Sequence, residues 1–171
     1  MQTLLSVLYR VLQRLNAAIA LLVKGIVVLL GLGMTLSILY QVFMRYVFNS
    51  PPSWSEELAL LFFSWSMLLM LAVGVREAFH VRMDLILNWL PRLGNQLLER
   101  FIDLCTAAFG GYLAWMGVEY CLMMVGSTSA AIAYPITMLY SAAPVSGVLI
   151  FLFSLELLFD PRRLERSEGR S

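Results

Sequence analysis

From Ala17 to Phe43 the chain runs 27 residues with a single charge, Lys24. A helix of that length reaches roughly 40 Å, enough to cross the hydrocarbon core of a bilayer, about 30 Å thick. Three more apolar runs follow, over residues 58–75, 101–125 and 135–159. Hydrophobic residues make up 60% of the 171 and charged residues only 13%, where a soluble domain carries about 25% charged. Mean hydropathy is +0.80, more apolar surface than the one small core of a soluble chain this size can bury. These features predict an all-α integral membrane protein with four transmembrane helices, forming a single membrane domain over residues 17–159.

The segments around the spans are informative. Thr3 to Asn16 place Leu4, Leu8, Val11 and Leu15 at helical spacing, with Arg10, Gln13 and Arg14 largely opposite. This amphipathic helix, residues 1–16, either lies at the membrane surface or leads straight into the first span. No small-residue cleavage site follows a short apolar core, so a cleaved signal is not expected. Arg76 to Arg100 holds Arg82, Arg92, Glu77, Asp84 and Glu99 among Val81, Met83, Leu85, Leu87, Trp89 and Leu90. That pattern predicts an amphipathic surface segment broken at Pro91 and Gly94. Residues 160–171 form a polar tail.

Within the turn Arg45 to Glu57, Asn49-Ser50-Pro51-Pro52 stops the first helix, because proline lacks an N–H and restricts the residue before it. Ser53-Trp54-Ser55-Glu56 fits a capping box, the Ser53 hydroxyl accepting from the Glu56 amide while the Glu56 carboxylate reaches back. Glu57 is not explained by capping. Trp54, Trp65 and Trp89 suit interfacial or packing positions. On the third span Ala107, Gly110, Gly111, Ala114 and Gly117 offer a small-residue surface for close helix approach. Pro135 fits the first position of the fourth helix, and Pro144 should kink it.

Ten arginines flank the spans at the amino end, the second loop and the tail, against Arg45 alone on the other side. The positive-inside rule then places both termini in the cytoplasm. Lys24, Asp103 and Glu156 fall toward that side, where Lys24 either snorkels or pairs with one of the carboxylates. Arg45 and Glu119 fall near the outer side and are expected to approach each other, since unpaired charge near lipid is costly.

Much chemistry is missing. His80 is the only histidine, too few for a bis-histidine haem or a histidine–cysteine metal site. Cys105 and Cys121, 16 residues apart, stand about 24 Å apart along one helix and cannot pair there. No catalytic triad pattern or phosphate loop occurs, and a net charge of +1 gives nucleic acid no purchase. No inverted repeat or mid-membrane polar cluster marks a lone carrier. Catalysis is not expected, nor is any cofactor in this chain.

V-x-x-R-Y-V-F-N at Val42 to Asn49, then P-x-x-W-x-E-E-L at Pro51 to Leu58, resembles the small membrane subunit of tripartite ATP-independent periplasmic (TRAP) transporters. The likeness continues through Arg76 and H-V-x-x-D at His80 to Asp84, Ser127-Thr128-Ser129 before Pro135, and Pro144 followed by Gly147. It covers about Gly25 to Leu158.

The resemblance implies a bacterial inner-membrane protein that helps import organic acids such as C4-dicarboxylates or sialic acids, driven by a sodium gradient. A periplasmic substrate-binding protein would deliver the substrate to a membrane pair. The large multispan subunit of that pair would hold substrate and sodium. This chain, expected as a separate polypeptide, would be its scaffold or stator in the membrane lipid.

By topology the turn Asn49 to Glu57 and the loop Gly126 to Tyr134 are the surfaces offered to the binding protein. Arg45, Asn49, Trp54, Glu56, Glu57, His80, Asp84 and Glu119 are the candidate structural or partner-contact residues. Arg45 reads as an interfacial anchor or a contact, and Glu57 as bound to either partner or to water. His80 and Asp84 read as surface hydrogen-bonding groups, a pH-sensing His80 being the alternative. An autonomous small tetraspan carrier or a membrane-assembly factor remains the competing reading.

Overall fold

A computed structural model describes residues 2–77 and 92–158, with side chains over 12–77 and 100–158. The described residues are helical nearly throughout. Helix α1 spans Gln2–Phe48, α2 Ser53–Glu77 and α3 Arg92–Met123. A single turn of helix, α4, covers Thr137–Tyr140 and leads through Ser141 into α5, Ala142–Leu158. Among the described residues four stretches are long and apolar enough to cross a membrane: Leu12–Phe48, Ser53–Glu77, Arg100–Met123 and Thr137–Leu158. His80, Asp84, Trp89 and the polar tail lie outside the described residues.

Residues 2–16 continue as helix straight into the first span, one of the two courses expected for them, making α1 one helix of 47 residues and roughly 70 Å. Several boundaries differ from expectation for physical reasons. Gly94 does not break the chain; it lies within α3, where one glycine costs a helix only about 1 kcal/mol. Pro135 stands ahead of the fourth helix rather than at its first position. It bridges to Thr128, and its carbonyl accepts from the Met138 amide at 2.9 Å. The disturbance expected at Pro144 appears one turn earlier, at Ser141, because the proline ring crowds the carbonyl of the residue four before it, Tyr140.

The helices stand side by side in the order α1, α2, α5, α3. Core packing is thin and belongs mostly to the middle pair and α1. Ala20, Ala72, Ile150 and Phe153 form one cluster, and Val23, Leu69 and Val73 a second. Asn16 Nδ2 donates to the Leu152 carbonyl at 3.4 Å, drawing the early part of α1 onto α5.

Between α3 and α5 the contact is backbone on backbone. A Cβ built on Gly147 would lie 2.5 Å from the Ala114 nitrogen and 2.8 Å from the Gly110 oxygen. One on Gly117 would meet Pro144 Cδ at 2.7 Å, and one on Gly110 the Phe151 nitrogen at 2.8 Å. The small-residue surface expected on the third span is therefore filled by the fourth span of the same chain. Gly111 is different, since a Cβ there would meet only Phe151 Cδ2, at an ordinary 3.8 Å.

Two adjacent charges at the end of α2 fasten it to both neighbours. Glu77 pairs with Lys24 on α1, and Arg76 Nε meets Glu156 Oε2 on α5 at 3.4 Å, with its guanidinium over the Phe153 ring. Lys24 thus pairs with Glu77 and not with Asp103 or Glu156, because α1 and α2 are antiparallel neighbours that bring those two ends together. Glu156 is only 7% exposed, so its arginine compensates a carboxylate largely shut off from water.

Gly147→Ala should destabilise the protein by about 1–3 kcal/mol, because backbone atoms must separate to admit the methyl group. Gly111→Ala should be neutral or stabilising by up to about 1 kcal/mol, because the methyl group fits and the helix loses a glycine. Thermal unfolding of the purified variants in one detergent distinguishes the two. In the same assay Arg76→Ala should cost about 3 kcal/mol by stranding Glu156, and Lys24→Ala, at an exposed pair, under about 1 kcal/mol.

Candidate functional site

The end of the row opposite Arg76 gathers most of the described candidate residues. Helix α1 ends there at Phe48, and Asn49 takes φ +51, the left-handed conformation that terminates helices and that asparagine tolerates. The Ser50 amide then turns back to the Met44 carbonyl at 3.4 Å. Proline thus shares the stop with Asn49.

Helix α2 begins at Ser53, but the expected capping box does not form. Ser55, fully buried, donates from Oγ to the Pro52 carbonyl at 2.7 Å. The Glu56 carboxylate turns sideways to accept from Gln41 Nε2 at 2.8 Å. A glutamine one helix away, in the same plane, competes successfully with the local amide. Trp54 packs beside Tyr40, ring centroids 5.4 Å apart. Two polar or aromatic pairs therefore close the α1–α2 hairpin above its apolar seam.

Glu57 follows Glu56 on the helix, about 100° around its axis, and faces the other way. It enters the connection between α3 and α4. There the Ser129 amide donates to the Tyr134 carbonyl at 2.9 Å and the Ile136 amide to the Ser127 carbonyl at 3.0 Å, flanking the Thr128–Pro135 bridge. The tip of this small hairpin closes on the carboxylate. Ser129 Oγ donates to Oε2 at 2.6 Å, the Ala131 amide to Oε1 at 2.8 Å and the Ile132 amide to Oε2 at 3.1 Å.

Two features show what Glu57 maintains. Ala133 sits at φ +60, a left-handed conformation costing a residue with a Cβ about 1–2 kcal/mol, and the carboxylate bonds hold the tip in that shape. Burial first, and then the nearby Glu57 charge, push the Tyr134 phenol above its ordinary 10.0. Trp65 ties the same region from below, Nε1 donating to the Met138 carbonyl at 2.9 Å.

The site is therefore a structured, uncharged hairpin clamped by an acidic side chain from a neighbouring helix. Glu57 uses both oxygens inside the chain instead of offering them to a partner. Among the described residues no group of three metal-ligating side chains assembles.

Arg45 and Glu119 do not meet. Both are exposed, and their helices stand at the two ends of the row with α2 and α5 between them. The expected pairing fails because similar depth does not make two helices neighbours. Glu119 instead borders a shallow groove with Ala114, Trp115 and Val118. His80 and Asp84 fall outside the described residues.

Sequence reasoning missed Ser129 and Gln41. Gln41 was detectable, since a polar residue seven before the helix end faces the first turn of the returning helix in a tight hairpin. Ser129 gives no comparable signal, because a loop's fold decides which hydroxyl reaches the carboxylate.

Glu57→Ala should release the hairpin tip. Hydrogen exchange at the Ala131 and Ile132 amides should accelerate by about ten-fold, while Glu56→Gln leaves those amides unchanged. Exchange read by mass spectrometry in detergent micelles measures both.

The model of the family described as tripartite ATP-independent periplasmic transporters, DctQ component, matches residues 34–164. The chain is 32% identical over 111 residues to the C4-dicarboxylate TRAP transporter small permease protein DctQ of Rhodobacter capsulatus, covering 62% of this chain and 48% of that one. It is 25% identical over 132 residues to the sialic acid TRAP transporter small permease protein SiaQ of Vibrio cholerae serotype O1, covering 73% and 72%. A segment of 64 residues is 39% identical to part of the sialic acid TRAP transporter permease protein SiaT of Haemophilus influenzae, covering 37% of this chain and 10% of that one. The match thus spans about half the length of the Rhodobacter protein and nearly three quarters of the Vibrio one. With four helices able to cross a membrane and a family match over most of its length, the chain belongs to the DctQ component of the tripartite ATP-independent periplasmic transporters.

Proposed function

We propose that this protein is the non-catalytic small membrane subunit of a sodium-driven TRAP transporter for an organic acid, acting as a scaffold for the large transport subunit. The observation that carries the reading is the row itself. A closed bundle leaves no helix at an edge, whereas here α3 stands at one end of the row and exposes Tyr112, Trp115 and Met116. Such a panel gains from a second membrane protein packed against it. The likeness of a 64-residue stretch to part of a much larger sialic acid permease supports a partner of that kind.

In this reading both termini are cytoplasmic and the membrane is the bacterial inner membrane. The Arg76 end faces the cytoplasm and the Glu57 end faces the periplasm. The hairpin held by Glu57 then presents backbone, small side chains and the exposed Ile132 to the periplasmic substrate-binding protein, in a shape fixed before contact. Substrate and sodium belong to the large subunit, and C4-dicarboxylates or sialic acids are the substrate classes that the relatives' names support.

Tagged protein drawn from its native membrane in mild detergent should bring down a large multispan membrane protein in near-equal amount. A chain that purifies alone and by itself takes up organic acid in proteoliposomes would overturn the proposal.

A further inference from the structure

The two ends of the row differ chemically, and the difference identifies which one the large subunit covers. Between Leu21 and Leu36 the exposed large side chains of α1 are aliphatic, with Leu21, Leu22, Leu29, Leu32 and Leu36 all more than half exposed. Its exposed aromatics Tyr40, Phe43, Tyr46 and Phe48 lie toward the α1–α2 turn. The aliphatic stretch is matched by lipid chains and has no need of a protein. The α3 edge carries Tyr112, Trp115 and Met116, exposed at 65%, 71% and 44%, residue types enriched where proteins meet. Ala114, beside Trp115 and Val118, leaves a recess in it, and Glu119 stands one turn beyond Trp115 at the border of that recess.

Glu119 makes no hydrogen bond or ion pair among the described residues. It lies four residues before the end of α3, about 6 Å along the axis, within an apolar strip where a lone carboxylate is costly. The described cations of this chain cannot serve it. Arg14 and Arg45 are on α1 at the far end of the row, Lys24 and Arg76 are engaged with Glu77 and Glu156, and Arg100 lies 19 residues away along α3, roughly 28 Å. Among the described residues, then, no cation compensates it.

We propose that the α3 edge is the docking face for the large membrane subunit, one of whose helices seats in the Ala114–Trp115–Val118 recess and places a basic side chain on Glu119. This rests on the reading above that a large subunit binds this chain, and it adds which face does so and through what charge.

The test is photo-cross-linking in native membranes, with p-benzoylphenylalanine placed at Val118 or, on the other edge, at Leu29. Copurification of Glu119→Gln and Glu119→Lys is measured alongside. Position 118 should yield an adduct with the large subunit and position 29 none. Recovery of that subunit should fall about three-fold for Glu119→Gln and about ten-fold or more for Glu119→Lys, while the thermal unfolding of the isolated chain stays unchanged.

An adduct from position 118 to a second copy of this chain or to lipid alone would overturn the docking face. So would an adduct from position 29 only, or recovery with Glu119→Lys equal to the parent. In each of these cases the proposed function survives if the parent chain still brings down the large subunit. Failure of the parent chain to bring it down overturns both.

Discussion

The contact of α3 with α5 is the constraint on which the row depends. In lipid, helices gain little by hiding apolar side chains from a solvent that is itself apolar, so association comes from close packing and a few polar bonds. Hydrogen at Gly147, Gly110 and Gly117 lets the two backbones approach to distances that a methyl group would forbid. The same approach constrains the loop joining these helices. Only eighteen residues separate the end of α3 from the start of α5, and they turn back within the width of two touching helices. The compact hairpin at Ser127 to Ile136 follows from that short span.

The second constraint is the use of adjacent charges at both ends of α2. Arg76 and Glu77 reach α5 and α1, while Glu56 and Glu57 reach α1 and the α3–α4 hairpin. Neighbours on a helix point about 100° apart, so two consecutive polar residues suit a helix flanked on both sides. Such a pair would serve poorly at an edge, where one side chain would face lipid. The edge helices instead carry isolated charges, Arg45 and Glu119, on exposed positions.

What was readable in the sequence divides along the same line. Length and hydropathy were enough for four spans, and the spacing of Gly110, Ala114 and Gly117 was enough for a close helix contact, because both are properties of one segment. The Arg45–Glu119 pairing failed because it needed the lateral order of the helices. Depth is written in the position of a residue along its span; neighbourhood is not. The capping box failed for a related reason. Ser53 and Glu56 have the right spacing, yet Gln41 on the next helix takes the carboxylate, and no local pattern shows that competition. Glu57 had no local explanation in the sequence. The structure gives it three bonds in a loop more than seventy residues further along.

Under the proposed function, these features divide two tasks within one small protein. Internal bonds at the Glu57 end engage the carboxylates, leaving a preformed hairpin whose surface is backbone, small side chains and Ile132. A preformed surface loses little conformational entropy on contact, which suits brief, repeated encounters with a soluble protein. The apolar edges follow the opposite logic. Of the two, the α3 edge, with one carboxylate set in its aromatic strip, suits a partner that stays. The row arrangement makes both possible at once, because a closed four-helix bundle would hide the edge that a lasting membrane partner needs.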